Sequence, residues 1–197
     1  MNPFNLISED IVNEIHEFNE KLSKGYKSLS DLGEIHVGVS EKEAVYQEDN
    51  IVLYHFKSRT KNQNPVPLLI VYALVNRPYI ADLQEGRSII QGLLDQGVDV
   101  YLIDWGYPVS ADKYLTLDDY INGYIDRCVD VICEKHNRKN INLLGICQGG
   151  VFSLCYTALY QKKVKNLITT TTPVDFHTKQ DLLSHIVKKI DIDQIVD

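Results

Sequence analysis

The sequence predicts an α/β fold with a mostly parallel sheet flanked by helices, and three observations carry that prediction. The run Leu68-Leu69-Ile70-Val71-Tyr72-Ala73-Leu74 is apolar throughout, as a strand buried on both faces must be. Helical periodicities alternate with such strands over most of the chain, the pattern of strand–helix–strand units. The 197 residues, 44% hydrophobic and 24% charged, suffice for one sizeable core and exclude disordered, collagenous and coiled-coil classes.

Taken in order, Ser8 to Leu29 carries Ile11, Ile15, Phe18, Leu22, Tyr26 and Leu29 at steps of three and four, which predicts an amphipathic helix. Ser8 is the candidate N-cap, Glu9 and Asp10 suit the positive end of the dipole, and Gly33 lies just past the end. Residues 1–30 are therefore read as an N-terminal helix that packs on the main domain or on a partner, and 31–197 as the α/β domain. Ile35–Val39 and Ile51–Phe56 read as short strands. Then follow a helix over Gly86–Gln96, a strand over Val98–Ile103, and a long helix over Leu117–His136 that opens on a Thr116/Asp119 capping box. Ile141–Leu144 is a strand, Gly149–Tyr160 a helix, and Asn166–Thr171 a strand. Lys179–Val196 is amphipathic in its first half.

Twenty Lys and Arg against 27 Asp and Glu give a formal charge of −7, which argues against nucleic acid as a partner. The N-terminus shows neither the basic region nor the apolar run of a secretory signal, so a cytoplasmic location is expected. No stretch is apolar for long enough to form a transmembrane segment. The cysteines at 128, 133, 147 and 155 have no spacing suited to zinc, and no metal is expected. Cys128, Cys133 and Cys155 fall within predicted helices and read as core residues.

Cys147 is different. It sits in Gly145-Ile146-Cys147-Gln148-Gly149-Gly150, between a predicted strand and a predicted helix. A lone cysteine is more often a packing residue, but three spaced glycines at a strand-to-helix turn match a nucleophile elbow with Cys in place of Ser. A helix N-terminus favours negative charge on a side chain placed there. The backbone N–H of Gln148 is one candidate oxyanion donor, and Val75, in the loop after the apolar strand, is the other. Asn76, Arg77, Asp104, Trp105 and His177 are candidate substrate contacts. A bland reading stands beside several of them: a solvated surface Arg77, a loop-bracing Asp104, a core Trp105 and, with it, a core Tyr79.

The runs Tyr72-Ala73-Leu74-Val75-Asn76-Arg77-Pro78-Tyr79, Asp82-Leu83-Gln84, Val100-Tyr101-Leu102-Ile103-Asp104-Trp105-Gly106, Asp118-Asp119-Tyr120-Ile121, the elbow and Thr172-Pro173-Val174-Asp175-Phe176-His177 resemble the catalytic subunit of polyhydroxyalkanoate synthases, most closely the short two-subunit forms. The resemblance implies an α/β-hydrolase fold. It also implies polymerisation of (R)-3-hydroxyacyl-CoA with CoA release through acyl groups on Cys147, with no cofactor besides the CoA thioester substrate. It further implies a second synthase subunit and a growing polyester granule with which the protein associates, while an oligomer is expected because a sheet missing its last strands leaves an unpaired edge. A thiol nucleophile suits this chemistry, because moving an acyl group from CoA to Cys exchanges one thioester for another and keeps it activated.

In that fold the acid and the histidine follow the nucleophile, and only 50 residues lie beyond Cys147. The expectation is of a sheet missing its last strands and of a chain slow or inactive alone, with His177 in a loop or substrate-channel role rather than as the base. Two other readings stand: a non-catalytic assembly module of a synthase complex, and a Cys-type hydrolase of lactones or thioesters.

Overall fold

The computed structural model describes residues 9–30, 36–175, 186, 189 and 190. The chain divides into two units, Met1–His36 and Val37–Asp197. In the first, helix α1 spans Glu9–Ser30. Exposed pairs four residues apart, Glu17 with Lys21 at 3.3 Å and Glu20 with Lys24 at 3.0 Å, add only a few tenths of a kcal/mol each. Its apolar positions Ile15, Phe18, Leu22 and Tyr26 are exposed. Ser8 and Gly33, its expected boundary residues, lie outside the described residues.

In the second unit the elements follow in the order β1 (Lys42–Glu48), β2 (Ile51–Phe56), β3 (Leu68–Val71), β4 (Asp82–Gln84), β5 (Arg87–Ser88), α2 (Ile89–Asp95), β6 (Val100–Asp104), α3 (Asp126–Lys135), β7 (Ile141–Ile146), α4 (Gln148–Leu159) and β8 (Val164–Thr170). Six strands form one sheet in the order β1-β2-β6-β3-β7-β8, while β4 and β5 make a small hairpin. β6, β3, β7 and β8 are mutually parallel, and β2 joins β6 antiparallel. This is the expected mostly parallel α/β sheet.

Alternation along the central strands builds a core on each face. Leu69, Val71, Tyr101, Ile103 and Trp105 point to one side, where they meet Ile125, Val129 and Ile132 of the long helix and Phe152 and Tyr156 of α4. Leu68, Ile70, Tyr72, Val100 and Leu102 point to the other, against Ile90 and Leu94 of α2. β3, at the centre of the sheet, is apolar and buried at every position because both its faces are covered.

Three elements depart from expectation. The strand placed at Ile35–Val39 is absent from 36–39, with Ile35 outside the described residues; the strand forms at Lys42–Glu48 instead. That segment has polar residues at both ends and three apolar residues between them, and its charge suits an edge strand, where it discourages pairing with other chains. The helix expected from Gly86 starts at Ile89, since Ser88 caps it by accepting the Gln91 N–H at 2.9 Å and the residues before form the hairpin. The long helix is not uniform: Asp119–Ile125 is π-helical before α3 begins. Its capping box is present, Asp119 Oδ2 accepting the Thr116 N–H at 2.7 Å and Thr116 Oγ1 accepting the Asp119 N–H at 3.4 Å. The amphipathic stretch 179–196 lies almost wholly outside the described residues. No helix among the described residues is long and apolar enough to cross a membrane.

Candidate active site at the elbow between β7 and α4

β7 passes into α4 with a single residue between them. That residue, Cys147, has φ 55° and ψ −126°, a conformation that costs a non-glycine residue about 1 to 3 kcal/mol. The surroundings enforce it. A Cβ on Gly149 would lie inside the Val71 carbonyl, and one on Gly145 would strike the Gly150 backbone, so only glycine lets α4 sit this close to β3 and β7. The Cys147 N–H donates to Thr170 O at 3.0 Å and the Gly150 N–H to Cys147 O at 2.9 Å, which ties the turn to β8 and to its own helix.

The Cys147 side chain is half-buried and packs at the margin of the core beneath α2. Tyr72 is its neighbour: burial first, and the Cys147 sulfur second, push the phenol above its ordinary range, so it stays neutral beside the thiol. Cys128 is wholly buried and its thiol is pushed up to about 12, chiefly by desolvation. Burial also raises the Cys133 thiol. Cys155 does not match its core reading; it is exposed on α4, about one turn from the buried Phe152 and next to the buried Tyr156.

The loop after β3 faces the elbow. The Leu74 N–H donates to the side-chain Oε1 of Gln148 at 3.1 Å. Arg77 Nη1 donates to Gly106 O at 2.6 Å while its guanidinium lies 3.1 Å from the Tyr107 ring centroid, so it is engaged within the protein rather than solvated. Val75 and Asn76, between these two ties, are exposed, Val75 at 85%.

Asp104 closes β6 and accepts the Gly106 N–H on Oδ1 at 3.0 Å, a brace for the following loop. Trp105 is buried and donates from Nε1 to Tyr72 O at 2.9 Å; Tyr79 is 39% exposed and is not a core residue. Asp82 is buried and accepts from Ser40 and Ser88, which fixes the hairpin. His177 lies outside the described residues. The structure therefore brings together Cys147, Gln148 and the loop of Val75, Asn76 and Arg77, with Asp104 and Trp105 behind that loop.

A cavity of about 230 Å³ lies beside this group, lined by Leu74, Trp105, Leu115, Tyr120, Tyr124 and Asp112 among others. Tyr120 stacks on Phe152 and Trp105 meets both edge-to-face, with centroids 5.5 to 6.4 Å apart. The sequence does not mark Tyr120 or Tyr124 as a cavity residue, although Tyr120 stands in the run Asp118–Ile121, because only the sheet order brings Leu74 and Trp105 to them. Nor does any local pattern mark the Gln148 side chain, whose partner is 74 positions away. Among the described residues, no histidine or carboxylate is hydrogen-bonded to Cys147, and no cluster of metal-ligating side chains occurs.

Residues 66–190 match the model of the alpha/beta hydrolase fold, and residues 4–93 that of the N-terminus of poly-beta-hydroxybutyrate polymerase. The whole chain aligns at 55% identity with 56% of a poly(3-hydroxyalkanoate) polymerase subunit PhaC from Allochromatium vinosum. It aligns at 54% with 56% of the subunit of the same name from Thiocystis violacea. The chain thus spans about half the length of these curated relatives. Among solved structures, a sugar hydrolase from Lactococcus lactis superposes with a TM-score of 0.53 at 16% identity, over 72% of this chain and 58% of that one, a likeness of fold alone.

Proposed function

The chain belongs to the alpha/beta hydrolase fold family, and we propose that it is part of a poly(3-hydroxyalkanoate) polymerase whose elbow carries the acyl-transfer half of polyester synthesis. The observation that carries this reading is Cys147 at positive φ between β7 and α4, with glycines on both sides that admit nothing larger. Strain of this kind persists where the surroundings over-determine it, and it presents the side chain outward.

In the proposed step the Cys147 sulfur attacks the carbonyl carbon of a 3-hydroxyacyl-CoA thioester. The developing oxyanion is held by the N–H groups of Gln148 and Val75. The carbon–sulfur bond to CoA then breaks, CoA leaves as a thiol carrying the proton that Cys147 gave up, and the acyl group remains as a thioester on the enzyme. Chain growth requires a base for the incoming hydroxyl, and that base is not among the groups bonded to Cys147 in the described residues. The described elbow therefore accounts for acylation, and we assign deprotonation of the hydroxyl to residues outside it. The acid edge of the neighbouring cavity, Asp49 and Asp112, disfavours CoA phosphates there, so the neutral acyl end is the part of the substrate that suits it.

The test is to incubate the chain with 3-hydroxybutyryl-CoA while following free CoA and intact protein mass, with Cys147→Ala alongside. One equivalent of CoA and one acyl adduct, both lost in the variant, are expected. Sustained CoA release without mass growth would instead identify a thioester hydrolase. An unmodified protein whose cysteine still reacts with iodoacetamide would favour the assembly-module reading.

A further inference from the structure

The first residue of α4 has two polar ends, and acyl transfer as derived above uses only one. The N–H of Gln148 heads the helix, while its side chain turns back across the sheet and takes the Leu74 N–H on Oε1 at 3.1 Å. This fastening is one of three on the stretch after β3: Tyr72 O accepts from Trp105, Leu74 N–H is taken by Gln148, and Arg77 is tied to Gly106. Between the second and third, Val75 and Asn76 stand exposed. With the Leu74 N–H committed to a side chain, the next backbone donor offered to a substrate is that of Val75.

We infer that the Gln148 side chain is a positioning residue, the clip that sets the separation of the two oxyanion donors, one on its own backbone and one on the loop it holds. The inference rests on the acyl-transfer reading. Its chemistry is specific to the residue type. An oxyanion is stabilised by donors at 2.7–3.1 Å from one point, and misplacement by about 1 Å costs about 100-fold in rate. Methionine would fill the same space without an acceptor. Glutamate would keep the acceptor and bring a negative charge beside the developing negative charge. Glutamine accepts the loop N–H and remains neutral.

Two reactions of the same sulfur separate this role from a packing role. Alkylation by iodoacetamide forms no oxyanion, whereas acylation by a thioester does. In Gln148→Met, acylation of Cys147 by 3-hydroxybutyryl-CoA is expected to slow about 100-fold. Alkylation, followed on the Cys147 peptide because Cys155 is also exposed, is expected to proceed at the wild-type rate. Hydrogen–deuterium exchange at the Leu74 amide is expected to quicken about tenfold in Gln148→Met and to stay at the wild-type rate in Gln148→Glu, which keeps the acceptor.

Equal slowing of alkylation and acylation in Gln148→Met, or undiminished acylation, would overturn the inference. So would unchanged exchange at Leu74, or equally fast exchange in both variants. If the wild-type sulfur alkylates and takes no acyl group, acyl transfer itself fails and the oxyanion role falls with it. The exchange at Leu74 still decides, without any turnover, whether Gln148 holds the loop.

Discussion

The two ends of the central strands handle polar groups in opposite ways. At the start of β6, Asp99 is 5% exposed, and its oxygens meet His55 Nε2 at 2.7 Å, His136 Nε2 at 3.3 Å and Gln63 Nε2 at 3.4 Å. Tyr101 stacks on His55 with centroids 4.2 Å apart and shares a 2.8 Å hydrogen bond with His136. Asp99, His55, His136 and Tyr101 thus find partners inside the protein, as burial demands. At the other end the sequence places Cys147 in a strained conformation and leaves Val75 and Asn76 exposed in the facing loop. One end is arranged for stability; the other gives up stability and keeps its polar directions unspent. A buried polar cluster is thus no sign of a site by itself, and satisfaction of its partners is what distinguishes the two.

Substitutions can break this contrast, beginning with the largest effect. Cys147→Gly should abolish acyl-adduct formation in the CoA assay while raising stability by about 1 kcal/mol in urea unfolding, because glycine tolerates the positive φ. A loss of stability would mean that the elbow is not strained. Asp99→Ala should cost about 2 to 3 kcal/mol, since it strands His55, His136 and Gln63 in a partly buried cluster. Alkylation of Cys147 should be unaffected, and a coupled loss of reactivity would show that the two ends are not independent. Arg77→Ala, which removes both the tie to Gly106 and the stacking on Tyr107, should lower the urea midpoint by the equivalent of about 1 kcal/mol and slow acylation more than alkylation.

The smallest effect concerns pH. Burial depresses the His136 imidazole below its ordinary 6.5, outweighing the upward pull of Asp99, and His55, Lys135 and Arg138 push the same way as burial. The unfolded chain therefore binds the proton more readily, so the contribution of neutral His136 is present above pH 6.5 and is lost as pH falls through that value towards the folded-state value. His136→Gln should flatten the stability curve across this window. An unchanged slope would place the acid sensitivity on other groups.

Much of this was legible in the sequence, and the reasons differ by element. β3 announces itself because two-sided burial makes every one of its positions apolar, and β6 and β7 nearly so. The elbow is legible because close approach of helix and strand leaves only glycine at Gly145 and Gly149, and both are local to Cys147. β1 was not, since an edge strand carrying Lys42, Glu43, Gln47 and Glu48 has the texture of a loop. Cys155 was misread as core because it flanks the covered stripe of α4, close to the buried Phe152 and Tyr156, and helical periodicity does not say where that stripe ends. The Asp99 cluster and the Gln148 tie have no local signature at all: each joins residues that only the sheet order makes neighbours.

The π-helical stretch Asp119–Ile125 acts as a phase shift in the long helix. A single residue added to or taken from a helix rotates everything beyond it by roughly 100°. By winding more widely, this stretch gives Tyr120 and Tyr124 to the cavity behind the loop and still delivers Cys128, Val129 and Ile132 of α3 to the core. Removing one residue between Tyr120 and Tyr124 would let the segment settle into an ordinary helix with Cys128, Val129 and Ile132 still on the core, because the wide turn is what absorbs the extra residue, but the two tyrosines would lose their present spacing. The length of this turn is therefore as much a part of the site as any side chain in it, and the chain should tolerate changes of residue there far better than changes of count.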